Sequence, residues 1–505
     1  MHTITQALLR AEQNHGTREG MVCGDQRITF GEFVRRTRRL GTVLRDLGTE
    51  RGDRVAVVSL NSIPVLDLYC GVPAAGRLVV PLNFRWAQAE LAYAIEDAGA
   101  RVLFIDHDPG ELAGLVDHVV RLDTDDYENR LAAAAETGFD PDLQPDELVG
   151  LFYTGGTTGA SKGVMVTHNN VVVNAYNMQM LRGLGPEDRF QVIAPLFHAA
   201  GSVCVLQCLY QGAAQVVVPV FDPPAILAQI EAERITASLG VPSMLAAMTE
   251  TQLTAPRDVS SLAVFGHGGS PIAIETVRRA VQAFPATEFL HVYGATETGP
   301  LITGLRHEQR YVDEPLAMSC GIAALGVELE IQKEDGSALP VGEAGEVASR
   351  GGHIMAGYWN KPEATASVLS ADGWYRTGDV GRLDETGHLF LLDRSKDMII
   401  SGGENVYCTE VENAIYTHPG VLEATVFGIP SDQWGESVHA VVVPRPDVDL
   451  TADEIVAHTR ETIAGYKVPR SVDIRTEELP KSGPGKVLKR ELRAPYWEGQ
   501  HGTIA

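Results

Sequence analysis

The sequence predicts an α/β protein with a large N-terminal body and a small C-terminal α+β domain. Three observations support this prediction. Short β-branched runs alternate with helical stretches over residues 52–151, and the alternation resumes beyond a glycine-rich segment near residue 155. From residue 327 the pattern becomes a period-2 alternation broken by Gly, Pro and Asp, which is typical of antiparallel hairpins. Beyond residue 397, two helical stretches and three short strands form a compact unit.

Strands that alternate with helices of this length indicate βαβ units and a parallel sheet in the body. A continuous apolar run such as LVVPL at 78–82 predicts a strand that is buried on both faces. The other predicted strands are 54–60, 102–105, 191–195 and 215–220, and the predicted helices are 65–75, 90–98, 224–233 and 274–283.

The C-terminal domain is predicted to follow a strand at 388–393, with its boundary at 393–397. Its first helix, at 409–418, has apolar residues at helical spacing. The remaining predicted elements are strands at 422–429, 439–445 and 472–475, a helix at 451–463 and a loop-rich tail.

The acidic composition excludes several classes of partner. The 505 residues include 41 Lys and Arg against 66 Asp and Glu, which gives a formal charge of −25. Nucleic acids and anionic lipids attract proteins with an excess of basic residues, so we expect no general affinity for either. A phosphate-bearing ligand must instead be bound locally, by backbone N–H groups, a metal ion or a few placed cations.

The cysteines and the N-terminal sequence indicate in which cellular compartment the protein is found. Six cysteines are scattered along the chain, and only Cys204 and Cys208 lie close together, so free thiols are expected rather than a zinc site. The N-terminus lacks a basic segment followed by an apolar stretch. No run approaches the roughly 18 apolar residues that span a bilayer. We therefore expect a cytoplasmic protein with no membrane span.

A glycine-rich loop is the first candidate functional segment. Residues 153–163 read YTGGTTGASKG and contain four glycines, three threonines, a serine and a lysine. Such a backbone, rich in N–H and O–H donors, suits a polyphosphate. It is not a Walker A loop, because Lys162 is preceded by Ser161 and followed by Gly163. The candidate phosphate-binding residues are Thr154, Gly155, Gly156, Thr157, Thr158, Gly159 and Lys162.

Seven further segments follow the loop along the chain. They are PLFH (195–198), GGSP (268–271), YGATE (293–297), YRTGD (375–379), DRSKDMIISGGENVY (393–407), WGE (434–436) and PKSGPGK (480–486). Together with the loop they resemble, in order and spacing, the motifs of the ANL superfamily of adenylate-forming enzymes, which includes acyl-CoA synthetases, nonribosomal adenylation domains and firefly-type luciferases. The resemblance extends from about residue 20 to residue 494 and is strongest to bacterial fatty-acid and aryl-acid CoA ligases.

The resemblance implies an architecture and a reaction. The body, residues 1–393, would consist of stacked αβ subdomains with a small β-barrel-like part. Residues 394–396 would be a hinge, with Lys396 at its centre, and 397–505 a small mobile lid. With ATP and Mg²⁺, the enzyme would join a carboxylic acid to AMP with release of pyrophosphate. It would then transfer the acyl group to coenzyme A.

The same resemblance assigns roles at the nucleotide. Bringing two anions together requires neutralisation of the charge that builds at the α-phosphate and the leaving group. Glu297 resembles the family's magnesium ligand, Thr296 its α-phosphate contact and Tyr293 the aromatic that packs on adenine. Asp379 would accept hydrogen bonds from both ribose hydroxyls, and Arg394 would assist. The remaining implied contacts are Gly268, Gly269, Ser270, Pro271, Gly294 and Ala295.

The lid would carry two further functions. Lys486 resembles the lysine that bridges the carboxylate and the α-phosphate during adenylation only. After rotation of the lid, a loop would form the tunnel for the pantetheine thiol. The implied tunnel residues are Ser401, Gly402, Gly403 and Trp434, although Trp434 is about as well explained as a core residue.

The acyl pocket is expected to contain mostly small residues. His198 resembles a residue at the pocket entrance that moves between the two states. His267 precedes GGSP, where an imidazole would recognise a polar substituent of the acid or cap a strand. The expected lining residues are Phe197, Ala200, Gly201, Val203, Gly240, Val241 and His267.

The sequence departs from the family's motifs at two places, and other functions compete with that of an acyl-CoA synthetase. Gly155 stands where many relatives carry Ser, which removes one hydroxyl contact to phosphate. The PLFHAAGS segment has no Asp, so an amino-acid substrate is disfavoured. The main alternative is a stand-alone ligase that passes its acyl group to a carrier protein or another small nucleophile. A luciferase-like oxygenase and a non-catalytic nucleotide-binding protein are less well supported. A homodimer is expected from the family habit alone.

Overall fold

A computed structural model describes residues 2–154, 161–202, 204–394, 397–431, 433–446, 448–481 and 487–497. The helices of the body up to residue 323 are α1 (Ile4–His15), α2 (Phe30–Asp46), α3 (Ile63–Ala74), α4 (Gln88–Ala98), α5 (Asp126–Ala133), α6 (His168–Leu181), α7 (Ala199–Ser202), α8 (Val205–Gln211), α9 (Pro223–Glu233), α10 (Pro242–Thr254) and α11 (Ile274–Ala283).

The strands of the same part are β1 (Glu19–Cys23), β2 (Gln26–Thr29), β3 (Arg54–Val58), β4 (Leu78–Leu82), β5 (Ala100–Ile105), β6 (His118–Arg121), β7 (Leu148–Thr154), β8 (Lys162–Thr167), β9 (Arg189–Val192), β10 (Ala214–Val217), β11 (Ala237–Gly240), β12 (Val264–Gly268), β13 (Glu288–Tyr293), β14 (Thr303–Leu305) and β15 (Ile322–Ala323).

The rest of the body contains β16 (Val327–Gln332), β17 (Gly345–Gly351), β18 (Gly357–Tyr358), α12 (Pro362–Ala366), β19 (Tyr375–Leu383) and β20 (Leu389–Arg394). The C-terminal domain contains β21 (Ile399–Ser401), β22 (Glu404–Val406), α13 (Cys408–Tyr416), β23 (Val421–Ser431), β24 (Gly435–Pro444), α14 (Ala452–Thr462), β25 (Ser471–Ile474) and α15 (Lys489–Trp497).

Two sheets with parallel centres form most of the body. Over the described ranges, one has nine strands in the order β15-β14-β13-β12-β11-β9-β10-β1-β2, and the other has seven in the order β18-β8-β7-β4-β3-β5-β6. The pairs from β13 to β1 and from β7 to β6 are parallel. The strands β2, β8, β14, β15 and β18 are added by antiparallel pairing. Most of the predicted βαβ pattern is therefore confirmed.

The largest apolar core joins the two sheets. It contains side chains from β3 and β4 of one sheet, from β9 and β10 of the other, and from α2, α3, α6 and α8. Every residue of α3 except Pro64 is buried, which explains why its sequence is apolar on all sides. A rigid double layer of this kind fixes the positions of the strand ends that carry the candidate site.

Two smaller units complete the chain. The part predicted to be β-barrel-like is an antiparallel sheet in the order β16-β17-β19-β20 within the described residues. The C-terminal domain has the order β22-β21-β24-β23, with β25 beside β24, and α13 and α14 cover its apolar core. In the part of the chain that the structure describes, no helix has both the length and the apolar character needed to cross a membrane.

Two details of the prediction are wrong. The strand expected at 191–195 is Arg189–Val192, because Pro195 has no N–H to donate to a neighbouring strand and the chain leaves the sheet before it. The tail expected to be loop-rich contains α15. Only Leu492 and Tyr496 of this helix pack against the adjacent apolar cluster, and Pro495 stands inside it, where a proline usually argues against a helix.

Candidate active site

The GGSP and YGATE segments leave the carboxyl ends of the neighbouring parallel strands β12 and β13. Ligands of open α/β sheets bind at this edge. A Cβ on Gly268 would lie 2.2 Å from the carbonyl oxygen of Val292, and one on Gly294 would lie 2.0 Å from that of Pro300. Both glycines are therefore required by close backbone approach, which brings the two segments together as predicted.

Glu297 is held by the segment that contains β18. Its carbonyl oxygen accepts a hydrogen bond from the Met355 N–H (2.9 Å), and its carboxylate Oε1 accepts one from the Tyr358 hydroxyl (2.9 Å). The ammonium of Lys162, at the far end of the phosphate loop, lies 4.9 Å from the centre of the Tyr358 ring. The structure therefore places Glu297 and Lys162 on either side of one tyrosine.

Thr296 borders a small internal cavity. The cavity is also lined by Tyr69, Asn174, Ser202 and Pro300 and has a volume of about 20 Å³. That volume accommodates little more than one water molecule.

The residues around Glu297 fit a magnesium ion that arrives with ATP. Mg²⁺ takes oxygen ligands and is commonly bound by one or two carboxylates together with phosphate oxygens. Glu297 supplies a half-buried carboxylate, and no hydrogen bond reaches its Oε2 from the described residues. Thr296 adds a hydroxyl beside it. In the described ranges, no three His, Cys, Asp or Glu side chains come together to bind a metal ion by themselves, so the phosphates would supply the other ligands.

Asp379 lies in a β-bulge and not in the tight turn that YRTGD was predicted to form. β17 and β19 lose register here, because Glu346 pairs with Val380 whereas Ala348 pairs with Arg376. Gly378 adopts a left-handed φ of +74°, which glycine adopts without strain. Bulges re-aim side chains beside active sites, and this one turns the Asp379 carboxylate towards the strand ends.

Two other predicted nucleotide residues contact that carboxylate. The Tyr293 hydroxyl donates to Asp379 Oδ2 (2.7 Å), and Arg394 Nε lies 3.0 Å from Oδ1. Asp379 is only 9% exposed, so its charge is compensated by the arginine and by the phenol. Each carboxylate oxygen keeps a second lone pair for a ribose hydroxyl.

Asp97, on α4, joins the start of the phosphate loop to the segment that follows β18. Its Oδ2 accepts a hydrogen bond from the Tyr153 hydroxyl (2.7 Å), and its Oδ1 pairs with the Lys361 ammonium (3.0 Å). Burial, and then the Asp97 carboxylate, raise the pKa of Tyr153 well above its usual value, so the phenol keeps its proton and donates. Tyr153 immediately precedes Thr154, the last described residue before the loop.

Replacement of Asp97 by alanine should raise the KM for ATP about three- to tenfold, with a smaller effect on kcat. The hydrogen bond to Tyr153 and the ion pair with Lys361 are both lost, and hydrogen bonds to charged groups are the stronger ones. Pyrophosphate release at varied ATP concentration measures the effect. Asp117→Ala, which removes an exposed carboxylate paired with Arg101, is the control. An unchanged KM in a folded Asp97→Ala protein would contradict the anchoring role.

The PLFH segment forms a turn whose side chains face different neighbours. Phe197 packs edge-to-face on Phe84, with ring centres 5.6 Å apart, and His198 is half-buried. A Cβ on Gly201 would lie 2.1 Å from the Pro195 carbonyl oxygen, so this glycine is explained by the turn itself. The roles of Phe197, His198 and Gly201 at the acyl group remain predictions.

Two other expected pocket residues line the sheet. A Cβ on Gly240 would lie 3.1 Å from Ile193 and 3.3 Å from Phe265, and Val241 is buried in the same apolar cluster. Their place in the acyl pocket remains a prediction.

His267 belongs to a buried cluster that the sequence did not indicate. Its Nε2 lies 2.5 Å from Glu308 Oε2, and its ring stacks on His291 with centres 4.8 Å apart. Burial, and then the neighbouring His267, lower the pKa of His291 to about 4. Burial would raise the pKa of Glu308, but the two imidazoles outweigh it and lower that pKa. Contact of His267 with the acid remains a prediction.

The predicted tunnel residues of the lid lie together. Gly402 and Gly403 form a two-residue turn between β21 and β22, with φ of +64° and +84°. A Cβ on Gly402 would lie 2.9 Å from the Trp434 ring. Trp434 is 38% exposed, which excludes the alternative of a core tryptophan. Arg470 donates to the Ser401 hydroxyl (3.0 Å) and stacks over the Trp434 ring.

Several predicted site residues lie outside the described part of the chain. They are Gly155, Gly156, Thr157, Thr158, Gly159, Val203, the side chain of Ala200, the hinge residue Lys396 and Lys486.

The structure adds site neighbours that the sequence analysis missed, namely Asp97, Tyr358, Glu308 and Arg470. Their partners at the site, which are Tyr153, Glu297, His267 and the pair Ser401 and Trp434, lie 36 to 69 positions away in the sequence. None of the four belongs to a recognisable motif.

Comparison with known proteins gives matches along most of the chain. The family model for the AMP-binding enzyme matches residues 8–359, and the model for the AMP-binding enzyme C-terminal domain matches residues 410–486. The chain is 39% identical over 477 residues to a feruloyl-CoA synthase of an Amycolatopsis species, which covers 94% of this chain and 95% of that protein.

Two further matches extend the range. The chain is 33% identical over 525 residues to the medium/long-chain-fatty-acid–CoA ligase FadD8 of Mycobacterium tuberculosis, covering 97% of this chain and 90% of that protein. The fold of this chain superposes on the crystal structure of ATP-bound MatB from Rhodopseudomonas palustris with a TM-score of 0.90, and the two sequences are 29% identical. That match covers 98% of this chain and 99% of the other.

Proposed function

The chain belongs to the AMP-binding enzyme family, in its acyl-CoA synthetase branch, and from that premise we propose how its residues divide the work. The protein is an ATP-dependent, AMP-forming acid–CoA ligase. It activates a carboxylic acid as an acyl-adenylate with release of pyrophosphate, and it then transfers the acyl group to coenzyme A with release of AMP.

In the first half-reaction, an oxygen of the acid attacks the α-phosphorus of ATP, and the bond to the bridging oxygen breaks as pyrophosphate leaves. Asp379 holds the ribose hydroxyls, and Tyr293 packs on the adenine. Glu297 would hold the magnesium ion, which supplies positive charge at the phosphates. Lys162 and Thr296 bind the phosphates. The convergence of Tyr293, Asp379 and Arg394 beside Glu297 is the observation that carries this assignment.

In the second half-reaction, the lid turns about residues 394–396 and the body, 1–393, keeps the adenylate. The turn at Gly402 and Gly403 lines the thiol's path, and Trp434 closes one side of it. The pantetheine thiolate attacks the acyl carbonyl carbon, and the bond from that carbon to the AMP oxygen breaks. Exchange of one lid surface for another lets a single cleft serve both transition states.

We propose an aryl acid of the hydroxycinnamate type as the substrate. The feruloyl-CoA synthase relative supports this class, because its 39% identity extends over nearly the full length of both chains. The absence of a carboxylate in PLFHAAGS supports an acid without an ammonium group. The fatty-acid ligase relative makes a medium- or long-chain fatty acid the second candidate.

A panel of acids tests both the acceptor and the acid class. With ATP, Mg²⁺ and ferulate, 4-coumarate, cinnamate, octanoate or palmitate, AMP release should require coenzyme A. The hydroxycinnamates should have a kcat/KM at least about tenfold above that of the fatty acids, which is the scale of discrimination by pocket shape. A preference for palmitate would overturn the aryl assignment alone. AMP release that ignores coenzyme A would favour transfer to a carrier protein or another nucleophile.

We also propose a reducing, cytoplasmic compartment, because all six cysteines are free thiols and five of them are buried. A homodimer is the expectation from the family resemblance, and light scattering measures it.

A further inference from the structure

Tyr358 contacts three parts of the active site at once. It lies on β18, which pairs with β8, so that Tyr358 is opposite Val164, two residues beyond Lys162. The Met355 N–H and the Tyr358 hydroxyl both bond to Glu297, the former to its carbonyl and the latter to its carboxylate. The segment 355–358 therefore holds the backbone and the side chain of Glu297 together.

The tyrosine itself is firmly fixed. It is 7% exposed and packs in an apolar cluster with Phe152, Val164 and Tyr375. Its N–H donates to the hydroxyl of Thr365 (2.9 Å). A carboxylate oxygen can only accept in this contact, so the phenol hydroxyl is the donor to Glu297.

The hydrogen bond has a directional consequence for Glu297. Oε1 is engaged by the phenol, and no described residue bonds Oε2. A carboxylate held by one oxygen cannot rotate freely, and its other oxygen faces a constant direction. The Lys162 ammonium lies over the ring of Tyr358, whose hydroxyl binds Glu297. The tyrosine therefore sets the relative positions of this cation and this carboxylate, which are both proposed to act at the phosphates.

We propose that Tyr358 is a positioning residue that orients Glu297 so that Oε2 is presented to the magnesium ion of MgATP. This inference rests on the proposed role of Glu297. It adds a residue outside the nucleotide motifs. It predicts that the tyrosine hydroxyl affects the affinity for Mg²⁺ in the MgATP complex and leaves the affinity for metal-free ATP unchanged.

The test is Tyr358→Phe, which removes the hydroxyl but keeps the ring beneath Lys162. The Mg²⁺ concentration for half-maximal pyrophosphate release should rise about tenfold, the scale of one hydrogen bond to a charged acceptor. Calorimetry provides a readout besides activity. Affinity for MgATP should fall by a similar factor, while affinity for ATP in EDTA should be unchanged.

Three further proteins make the result interpretable. Tyr416→Phe removes a buried hydroxyl bonded to the Ala424 backbone in the C-terminal domain, and it should leave both affinities unchanged. Glu297→Gln should shift the Mg²⁺ requirement more than Tyr358→Phe does. In the double variant, the tyrosine change should add little, because it acts through the carboxylate.

The outcomes separate the two claims. If Glu297→Gln leaves the Mg²⁺ requirement unchanged, the proposed metal role of Glu297 is wrong, and the inference falls with it. If Glu297→Gln shifts the requirement but Tyr358→Phe does not, only the positioning role is overturned. The positioning role is also overturned if Tyr358→Phe weakens ATP equally with and without Mg²⁺. Unaltered thermal unfolding of Tyr358→Phe would exclude a folding defect as the cause.

Discussion

Replacement of Lys486 by alanine should abolish formation of the acyl-adenylate and leave thioester formation from a supplied acyl-adenylate largely intact. The lysine is proposed to place its ammonium between the acid and the α-phosphate, where negative charge grows as pyrophosphate leaves. Removal of one such preorganised donor costs about 10²–10³-fold in rate. Once the adenylate exists, that charge has left with pyrophosphate, so the second half-reaction does not need the ammonium.

The described residues on both sides of Lys486 are bound to the rest of the C-terminal domain. Lys481 pairs with Glu423, and Lys489 pairs with Glu412 at 2.8 Å, so the chain on both sides of 482–486 is tied to lid strands and helices. Lys481 and Val487 also form an antiparallel bridge. A rotation of the C-terminal domain must therefore carry this lysine with it.

Two assays separate the half-reactions. Pyrophosphate release without coenzyme A reports adenylation, and AMP release from synthetic acyl-adenylate plus coenzyme A reports transfer. The control is Lys333→Ala, which removes an exposed ammonium from the body, directly after β16. Equal loss in both assays would disprove the assignment of Lys486 to one step, as would full activity in both.

The parts of the fold that the sequence predicted well are those set by local pattern. LVVPL is continuous and apolar, and β4 has the predicted bounds, because a strand buried on both faces needs no alternation. Helices α9 and α11 also agree closely with their predicted ranges. Within the site, the motif segments were found because they resemble the family's motifs in order and spacing. In two of them the structure shows why a glycine is needed, since the backbones at Gly268 and Gly294 approach their neighbours closely.

The contacts that orient these motifs could not be predicted from local sequence. Glu297 and Tyr358 are 61 positions apart, and Tyr153 and Asp97 are 56 apart. Such pairs form because the sheets bring distant strands together, and no periodicity of either segment records the partner. The bulge at Gly378 escaped prediction for a related reason. A glycine followed by Asp suggests a turn, and only the pairing with β17 shows that the strand continues through it.

Replacement of Asp379 by alanine should impair both half-reactions, in contrast to Lys486→Ala. The AMP moiety is present in ATP and in the adenylate, so a ribose anchor is needed throughout the reaction. Loss of two hydrogen bonds from ribose hydroxyls to a carboxylate, at about 1.5–3 kcal/mol each, predicts a fall of roughly 10²–10⁴-fold in kcat/KM. The variant also leaves Tyr293 and Arg394 without their shared partner, so the melting temperature should fall.

The stability loss makes a second variant necessary. Asp379→Asn keeps the shape and one acceptor oxygen, so it should fold more stably than the alanine variant and yet bind AMP more weakly than the parent. Glu328→Ala, which removes a 57% exposed carboxylate paired with Arg350 on the same sheet, is the surface control. Fluorescence titration with AMP measures the anchor without turnover. If Asp379→Asn bound AMP normally, or slowed only adenylation, the carboxylate would not be holding the ribose, and the contrast with Lys486 would vanish.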